Sequence, residues 1–182
     1  MVYRYRPQTK IKKDRKKLLM VAFVVVVLSI GYLLVKAPSQ VHDIFILPDL
    51  STAGYVEVVP EAAVVGDRGI ISLTGGCYQV VATTEAVQAE SIANGLAGKI
   101  DFRPNTHDLI KSVFDSLDIK VVMVKIVDLV NNAYIGRLVL RQGDKVLSLD
   151  SKPSDGIAIA VRYNATIYMK EDLLKRQGKY IC

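Results

Sequence analysis

Read for the spacing of apolar and polar positions, the chain changes character at about residue 54. Before that point a single apolar run, Leu18 to Val35, extends for 18 residues without a charge. As a helix it would be about 27 Å long, close to the roughly 30 Å hydrocarbon core of a bilayer. The run is therefore expected to be a transmembrane helix. After residue 54 the apolar positions recur at short periods. Tyr55–Val59 and Gly69–Leu73 read as strands, and Cys77–Val81 follows across Gly75-Gly76 as the second arm of a hairpin. Thr84 is placed to cap a helix in which Ala86, Ala89, Ile92, Ala93 and Leu96 keep helical spacing, ended by Gly95 and Gly98. A second helix carries Leu109, Ile110, Val113, Phe114 and Leu117 on one face. Strands Lys120–Leu129 and Tyr134–Leu140 flank Asn131-Asn132, residues that tolerate positive φ, and Gln142-Gly143-Asp144 turns the chain into Lys145–Leu149. A helix Ser154–Tyr163, a short strand Thr166–Met169 and a last helix Glu171–Gln177 complete the pattern.

Strands grouped in hairpins with helices between the groups predict an α+β class, one domain of hairpins or mixed sheet with three to four helices, preceded by the transmembrane helix. The expected organisation is a basic tail (1–17), the membrane helix (18–35), a juxtamembrane linker punctuated by Pro38, Ser39, Pro48 and Ser51 (36–53), and the domain itself (54–182).

Charge sharpens this division. Of the 24 Lys and Arg and 18 Asp and Glu, eight and one fall in residues 1–17, leaving 16 and 17 for the remainder. The formal charge of +6 thus belongs to the tail, and the domain offers no broad phosphate-binding face on charge alone. The asymmetry across the apolar run places the N-terminus in the cytoplasm and the domain outside. A cleaved signal peptide is the rival reading. Val35-Lys36-Ala37 faintly resembles a cleavage site, but Pro38 follows it and the run exceeds a usual signal core. The two cysteines, Cys77 and Cys182, are expected to be free, the first buried in a strand and the second untethered.

Two short stretches concentrate chemistry. Arg103-Pro104-Asn105-Thr106-His107-Asp108-Leu109 and Asp150-Ser151-Lys152-Pro153-Ser154-Asp155-Gly156 each join a cation, a proline, a hydroxyl and a carboxylate, and each precedes an apolar helical run. Thr106 or Asn105, and Ser154, are natural N-caps, and Asp108 and Asp155 fall in first turns, where the helix dipole favours negative charge. Capping accounts for these residues without any catalysis. It does not ask for His107, Arg103 or Lys152. If both helices start on one sheet edge, the loops form a single polar cleft that holds His107 and Asp155 together.

The Arg103–Leu109 string, followed in order by Lys152-Pro153-Ser154-Asp155-Gly156, with Glu85-Ala86 before and Ile167-Tyr168 after, resembles the bifunctional nuclease (BFN) domain family over roughly residues 55–177. Lys152 stands where the family generally has arginine, a point charge in place of a planar fork, and Gly156 where alanine is common. The resemblance implies a compact α+β domain with nuclease activity on DNA and RNA. Phosphodiester hydrolysis needs an activated water and neutralised phosphate charge. On that reading Asp108, Asp150, Asp155 and, from the family pattern, Glu85 would hold Mg²⁺ or Mn²⁺, hard ions that prefer oxygen ligands. His107, Asp108 and Asp155 would be catalytic, His107 as general base or ligand, while Arg103, Lys152, Thr106 and Ser154 would bind the substrate. Against it, His107 would merely brace its loop and Arg103 would pair with Asp108 or Asp155. Zinc-protease, zinc-ribbon, P-loop and α/β-hydrolase patterns are absent from the sequence. The expected function is a membrane-anchored nuclease; the alternative is a non-catalytic module binding a ligand or protein at the same cleft. The expected partners are nucleic acid, the membrane through the N-terminal helix and, as an open alternative, a second copy of the chain in a homo-oligomer.

Overall fold

A computed structural model describes residues 17–29 and 50–182. The chain divides into two units, Met1–Phe45 and Ile46–Cys182. In the first, residues 17–29 form a helix, α1, whose residues are all exposed. Among the described residues no helix is long and apolar enough to cross a membrane. The remainder of the expected span (30–35), the basic tail through residue 16 and the linker through residue 49 lie outside the described residues.

The second unit is α+β, built on two sheets. Its elements in order are β1 (Tyr55–Glu57), β2 (Val59–Val65), β3 (Arg68–Gly75), β4 (Tyr78–Glu85), α2 (Ala86–Leu96), α3 (Thr106–Ser116), β5 (Lys120–Val130), β6 (Ala133–Gln142), β7 (Lys145–Ser151), α4 (Pro153–Val161), β8 (Thr166–Lys170), α5 (Glu171–Gln177) and β9 (Lys179–Tyr180). One sheet has the order β1-β8-β5-β6-β7, the other β2-β3-β4-β9. Only β5 and β8 run parallel; the other neighbours are antiparallel.

Two hairpins follow their turn chemistry. Asn131 and Asn132 (φ 50° and 63°) join Val130 to its partner Ala133, the double left-handed turn that suits the twist of the flanking strands. Gly76 (φ 55°) and Cys77 join Gly75 to Tyr78. The expected strand Tyr55–Val59 proves to be two. The chain leaves the first sheet after Glu57, buries Val58, and enters the second sheet at Val59. β2 then runs on through Pro60, tolerated because β2 is an edge strand with a side that needs no donor.

The core joins both sheets through Leu73, Val80, Ile126, Leu138 and Met169, and α4 is its central helix, with Gly156 to Ala160 all buried. A helix apolar on every side belongs in such a position. α4 packs against α2, α3, β5 and β6.

Several expectations are corrected here. On α3 only Ile110 and Phe114 turn to the core; Leu109, Val113 and Leu117 are exposed, because the inward stripe begins with buried His107 and Asp108. Glu85, not Thr84, stands at the N-cap of α2, and Gly95 lies within that helix. Cys77 and Cys182 are not free but form a disulfide. β9 makes this pairing available: Tyr180 pairs with Tyr78 and carries the last residues alongside the start of β4.

Candidate functional site

The Asn105 side chain caps α3, its Oδ1 accepting from the backbone N–H of His107 (2.9 Å) and of Asp108 (3.1 Å). Asp108 returns the bond, its Oδ2 accepting from Asn105 N–H at 3.0 Å. This reciprocal capping box satisfies donors that the first helical turn leaves open. It buries Asp108 and orients the next turn of chain, including His107.

The second oxygen of Asp108 meets a residue that the sequence did not single out. Arg162, at the C-cap of α4, donates from Nε to Asp108 Oδ1 at 2.7 Å, and both side chains are buried. Arg162 Nη1 donates to the carbonyls of Ser91 (3.0 Å) and Ala158 (2.7 Å). Its Nη2 donates to Ser91 Oγ (3.1 Å) and Asn105 Oδ1 (3.5 Å). All five guanidinium N–H groups therefore face an acceptor within the protein. One cation ties α2, α3 and α4 together. Gly95 leaves the room: a Cβ there would lie 2.6 Å from Val161 Cγ2 and 2.9 Å from Arg162 Nη1.

Ser91 passes this order on to His107. Its hydroxyl oxygen accepts from Arg162 Nη2 and from Asn105 Nδ2 (3.2 Å), filling both lone pairs. Its own proton is left for His107 Nδ1, 2.9 Å away. A neutral imidazole accepting at Nδ1 carries its proton at Nε2, and Nε2 stands 3.5 Å from Asp155 Oδ1. Burial pushes the His107 pKa below its usual value; Asp155 pulls it up, and the Arg162 charge pushes it down again. Burial raises the Asp108 carboxyl, yet the Arg162 hydrogen bond, the Asn105 N–H and the charges of Arg162 and His107 hold it below the ordinary aspartate value.

The two proline loops do converge. His107 from one and Asp155 from the other make contact, Asp155 remaining 40% exposed while His107 is nearly covered. The arrangement thus offers one accessible carboxylate facing a buried, neutral imidazole N–H. The other expected site residues are dispersed. Thr106 opens α3 and is exposed. Arg103 is exposed and makes no ion pair among the described residues, so the expected pairing with Asp108 or Asp155 is replaced by Arg162. Ser154 is not a cap: Lys152 holds that position, Pro153 follows at N1, and Ser154 is buried.

A cation cage is not what these carboxylates build. Both oxygens of Asp108 are engaged by Arg162 and Asn105. Asp150 is exposed and lies 3.9 Å from Arg137 on the β6–β7 edge. Glu85 is exposed and lies 3.9 Å from Lys152. Among the described residues no three of His, Cys, Asp and Glu converge on a point where they could hold a metal ion. The expected Mg²⁺ or Mn²⁺ set does not fit this geometry.

Arg162 and Ser91 were legible only faintly in the sequence. The signals were an arginine closing a helix with no other charge after its first turn, and a serine on the apolar side of α2.

The family described as the bifunctional nuclease domain matches residues 79–181. An uncharacterized protein of Mycobacterium tuberculosis is 34% identical over 94 residues, 52% of this chain and 56% of that protein. Bifunctional nuclease 1 of Oryza sativa subsp. japonica is 32% identical over 79 residues, 42% of this chain and 24% of that protein. Bifunctional nuclease 2 of Arabidopsis thaliana is 34% identical over 79 residues, with the same two shares. The chain thus spans about half the length of the mycobacterial relative and about a quarter of the plant ones.

Proposed function

The chain belongs to the bifunctional nuclease domain family, and from that membership we propose that it hydrolyses phosphodiester bonds of DNA or RNA at the His107–Asp155 pair. The observation that carries the proposal is the 3.5 Å contact between His107 Nε2 and Asp155 Oδ1, which joins the two proline loops into one site. Asp155 receives a proton from the attacking water. The water oxygen bonds to phosphorus as the bond from phosphorus to the leaving oxygen breaks, and the leaving oxygen takes a proton from solvent water. His107 Nε2–H, fixed in its tautomer by Ser91, orients the carboxylate. Lys152, one turn of chain before Asp155, and exposed Arg103 meet the phosphate charge as point charge and planar fork. The described residues supply no cation cage for this reaction, so its dependence on an added divalent ion is left to the assay.

The test is cleavage of single- and double-stranded DNA and RNA by the full chain, with Mg²⁺, with Mn²⁺ and with chelator. Asp155→Asn should melt within a few degrees of wild type, since its side chain is 40% exposed, and should lose cleavage by at least about a hundredfold. Cleavage by that variant at the wild-type rate would remove Asp155 from the chemistry. A wild-type chain that cuts none of these substrates would leave the same cleft as that of a binding module.

For location we propose a single-pass membrane anchor formed by Leu18–Val35, with the N-terminus cytoplasmic and the domain external. The uncharged run and the basic residues of 1–17 support it. Protease added outside intact cells should then remove the domain and spare the basic tail. Protection of the domain until lysis would reverse the orientation and redirect the search for substrate to intracellular nucleic acid.

A further inference from the structure

A cleft of about 530 Å³ opens between the two sheets, beside the start of α4. Core residues Leu73, Val80, Ile126 and Met169 form its floor, and exposed Val81, Thr83 and Asn132 its rim. Two hydroxyls of the lining are buried and unanswered. Ser154 is 4% exposed, and its Oγ has no hydrogen-bond partner among the described residues. Thr84 Oγ1, also within the lining, is buried and equally without a partner. A buried hydroxyl without a partner carries a desolvation cost that folded proteins seldom leave unanswered.

The place of Ser154 identifies the missing partner. It is the second residue of α4, a helix of nine residues. Pro153 has no N–H, and the amides of Asp155 and Gly156 both turn to Lys152 O at 3.0 Å. The Ser154 amide belongs to the first turn and has no intrahelical acceptor. Lys152 lines the same cleft, and among the described residues its ammonium is paired only with exposed Glu85, 3.9 Å away. A first-turn amide, a buried hydroxyl and a lysine at the positive end of a helix form a site for an anion, above all a phosphate. Away from that end the lining also holds the ring of Tyr134 and the amide side chains of Asn132 and Gln177. A cleft of mixed polar and apolar lining, edged by amides, suits a flat ring with hydrogen-bonding edges, and the volume is that of a site for one small ligand.

We propose that this cleft is a single-nucleotide subsite, with the phosphate at Ser154 and Lys152 and the base between the sheets. The choice of a nucleotide rests on the nuclease reading; the anion-and-ring chemistry rests on the cleft itself. Ser154 and Asp155 are consecutive on α4 but project in different directions around the helix, and Asp155 is not part of the cleft lining.

Calorimetric titration of the full chain in the presence of chelator, with 5′-AMP, 5′-UMP, adenosine and inorganic phosphate, tests the subsite. Both monophosphates should bind, and removing either the phosphate or the base should weaken binding by about tenfold or more. Ser154→Ala should weaken 5′-AMP by about tenfold while melting no lower than wild type, because the hydroxyl has no partner to lose inside the protein. Lys152→Met should weaken 5′-AMP and inorganic phosphate alike. Monophosphates that bind no better than inorganic phosphate, or a Ser154→Ala variant that melts lower and binds unchanged, would overturn the subsite. A chain that cuts nucleic acid but ignores every monophosphate loses the subsite and keeps the nuclease. A chain that binds monophosphates through Ser154 but never cuts keeps the subsite and loses the nuclease.

Discussion

Asp108→Asn separates the two roles this aspartate could have, because they imply different costs. Asp108 uses two oxygens, one for Arg162 Nε at 2.7 Å and one for Asn105 N–H at 3.0 Å. Asparagine has one. Its amide nitrogen must face either the guanidinium or the backbone N–H, donor against donor, and the buried Arg162 charge loses its partner. Removing one member of a buried ion pair costs about 3–5 kcal/mol, a large part of the roughly 5–15 kcal/mol that holds a domain folded. Were Asp108 only a first-turn charge at the helix start, the loss would be about 0.3–1 kcal/mol. Urea denaturation of the full chain followed by circular dichroism decides between them. With a slope of roughly 1–3 kcal/mol/M the midpoint should fall by at least about 1 M. Arg162→Met should be comparably damaging, and the double variant should lose much less than the two singles together. A midpoint within a few tenths of a molar of wild type would refute the buried-pair account. It would also return Asp108 to the pool of available ligands.

Acid should act on the same network in two stages. The depressed pKa of His107 gives stability that is complete above the unfolded value near 6.5 and falls as pH drops below it. The depressed pKa of Asp108 gives stability that is lost further down, as pH falls from near 4 through the folded value. The melting temperature should therefore decline between pH 7 and 5 in wild type and much less in His107→Gln; a flat wild-type profile over that interval would contradict a buried neutral imidazole. Reduction of the Cys77–Cys182 disulfide, which spans 105 residues, should destabilise the fold by about 2–4 kcal/mol, less than the chain-entropy ceiling of about 4.7 kcal/mol for such a loop. Identical melting with and without reductant would show that β9 and its neighbours hold the terminus without the bond.

What could be read from the sequence was local. Asn131-Asn132 announced its hairpin because few residues accept two successive left-handed conformations, and Pro104 and Pro153 announced two helix starts. Their similarity even suggested that His107 and Asp155 would meet, as they do. What could not be read depends on contacts distant in sequence. Leu109, Val113 and Leu117 form as good an apolar stripe as Ile110 and Phe114; the choice between them is made by His107 and Asp108, buried by an arginine more than fifty residues away. Pro60 hid β2, because its missing donor argues against a strand until the strand is known to be an edge. The cysteine pair depended on β9, two residues whose only distinction is the partner they find.

Arg162 also constrains how any substrate must be bound. Every one of its donors is turned inward, so the most deeply placed cation of the site has none left for a phosphate. On the proposed nuclease reading the substrate's charge is left to Lys152, to exposed Arg103 and to the first turn of α4. The inward network instead fixes a proton. For His107 to expose a bare Nε2 as a base, its Nδ1 would have to carry the proton and Ser91 Oγ would have to accept a third hydrogen bond. Both of its lone pairs are already filled by Arg162 and Asn105. Deprotonated Nε2 therefore requires breaking a bond to a buried cation or to the α3 cap. On the proposed reading the accessible base of the pair is Asp155, and Ser91→Ala should loosen that assignment. Nitrogen chemical shifts of the His107 ring should show a protonated Nε2 in wild type and a mixture of tautomers in Ser91→Ala. A wild-type ring protonated at Nδ1 would exchange the two roles, making His107 the base and Asp155 its support.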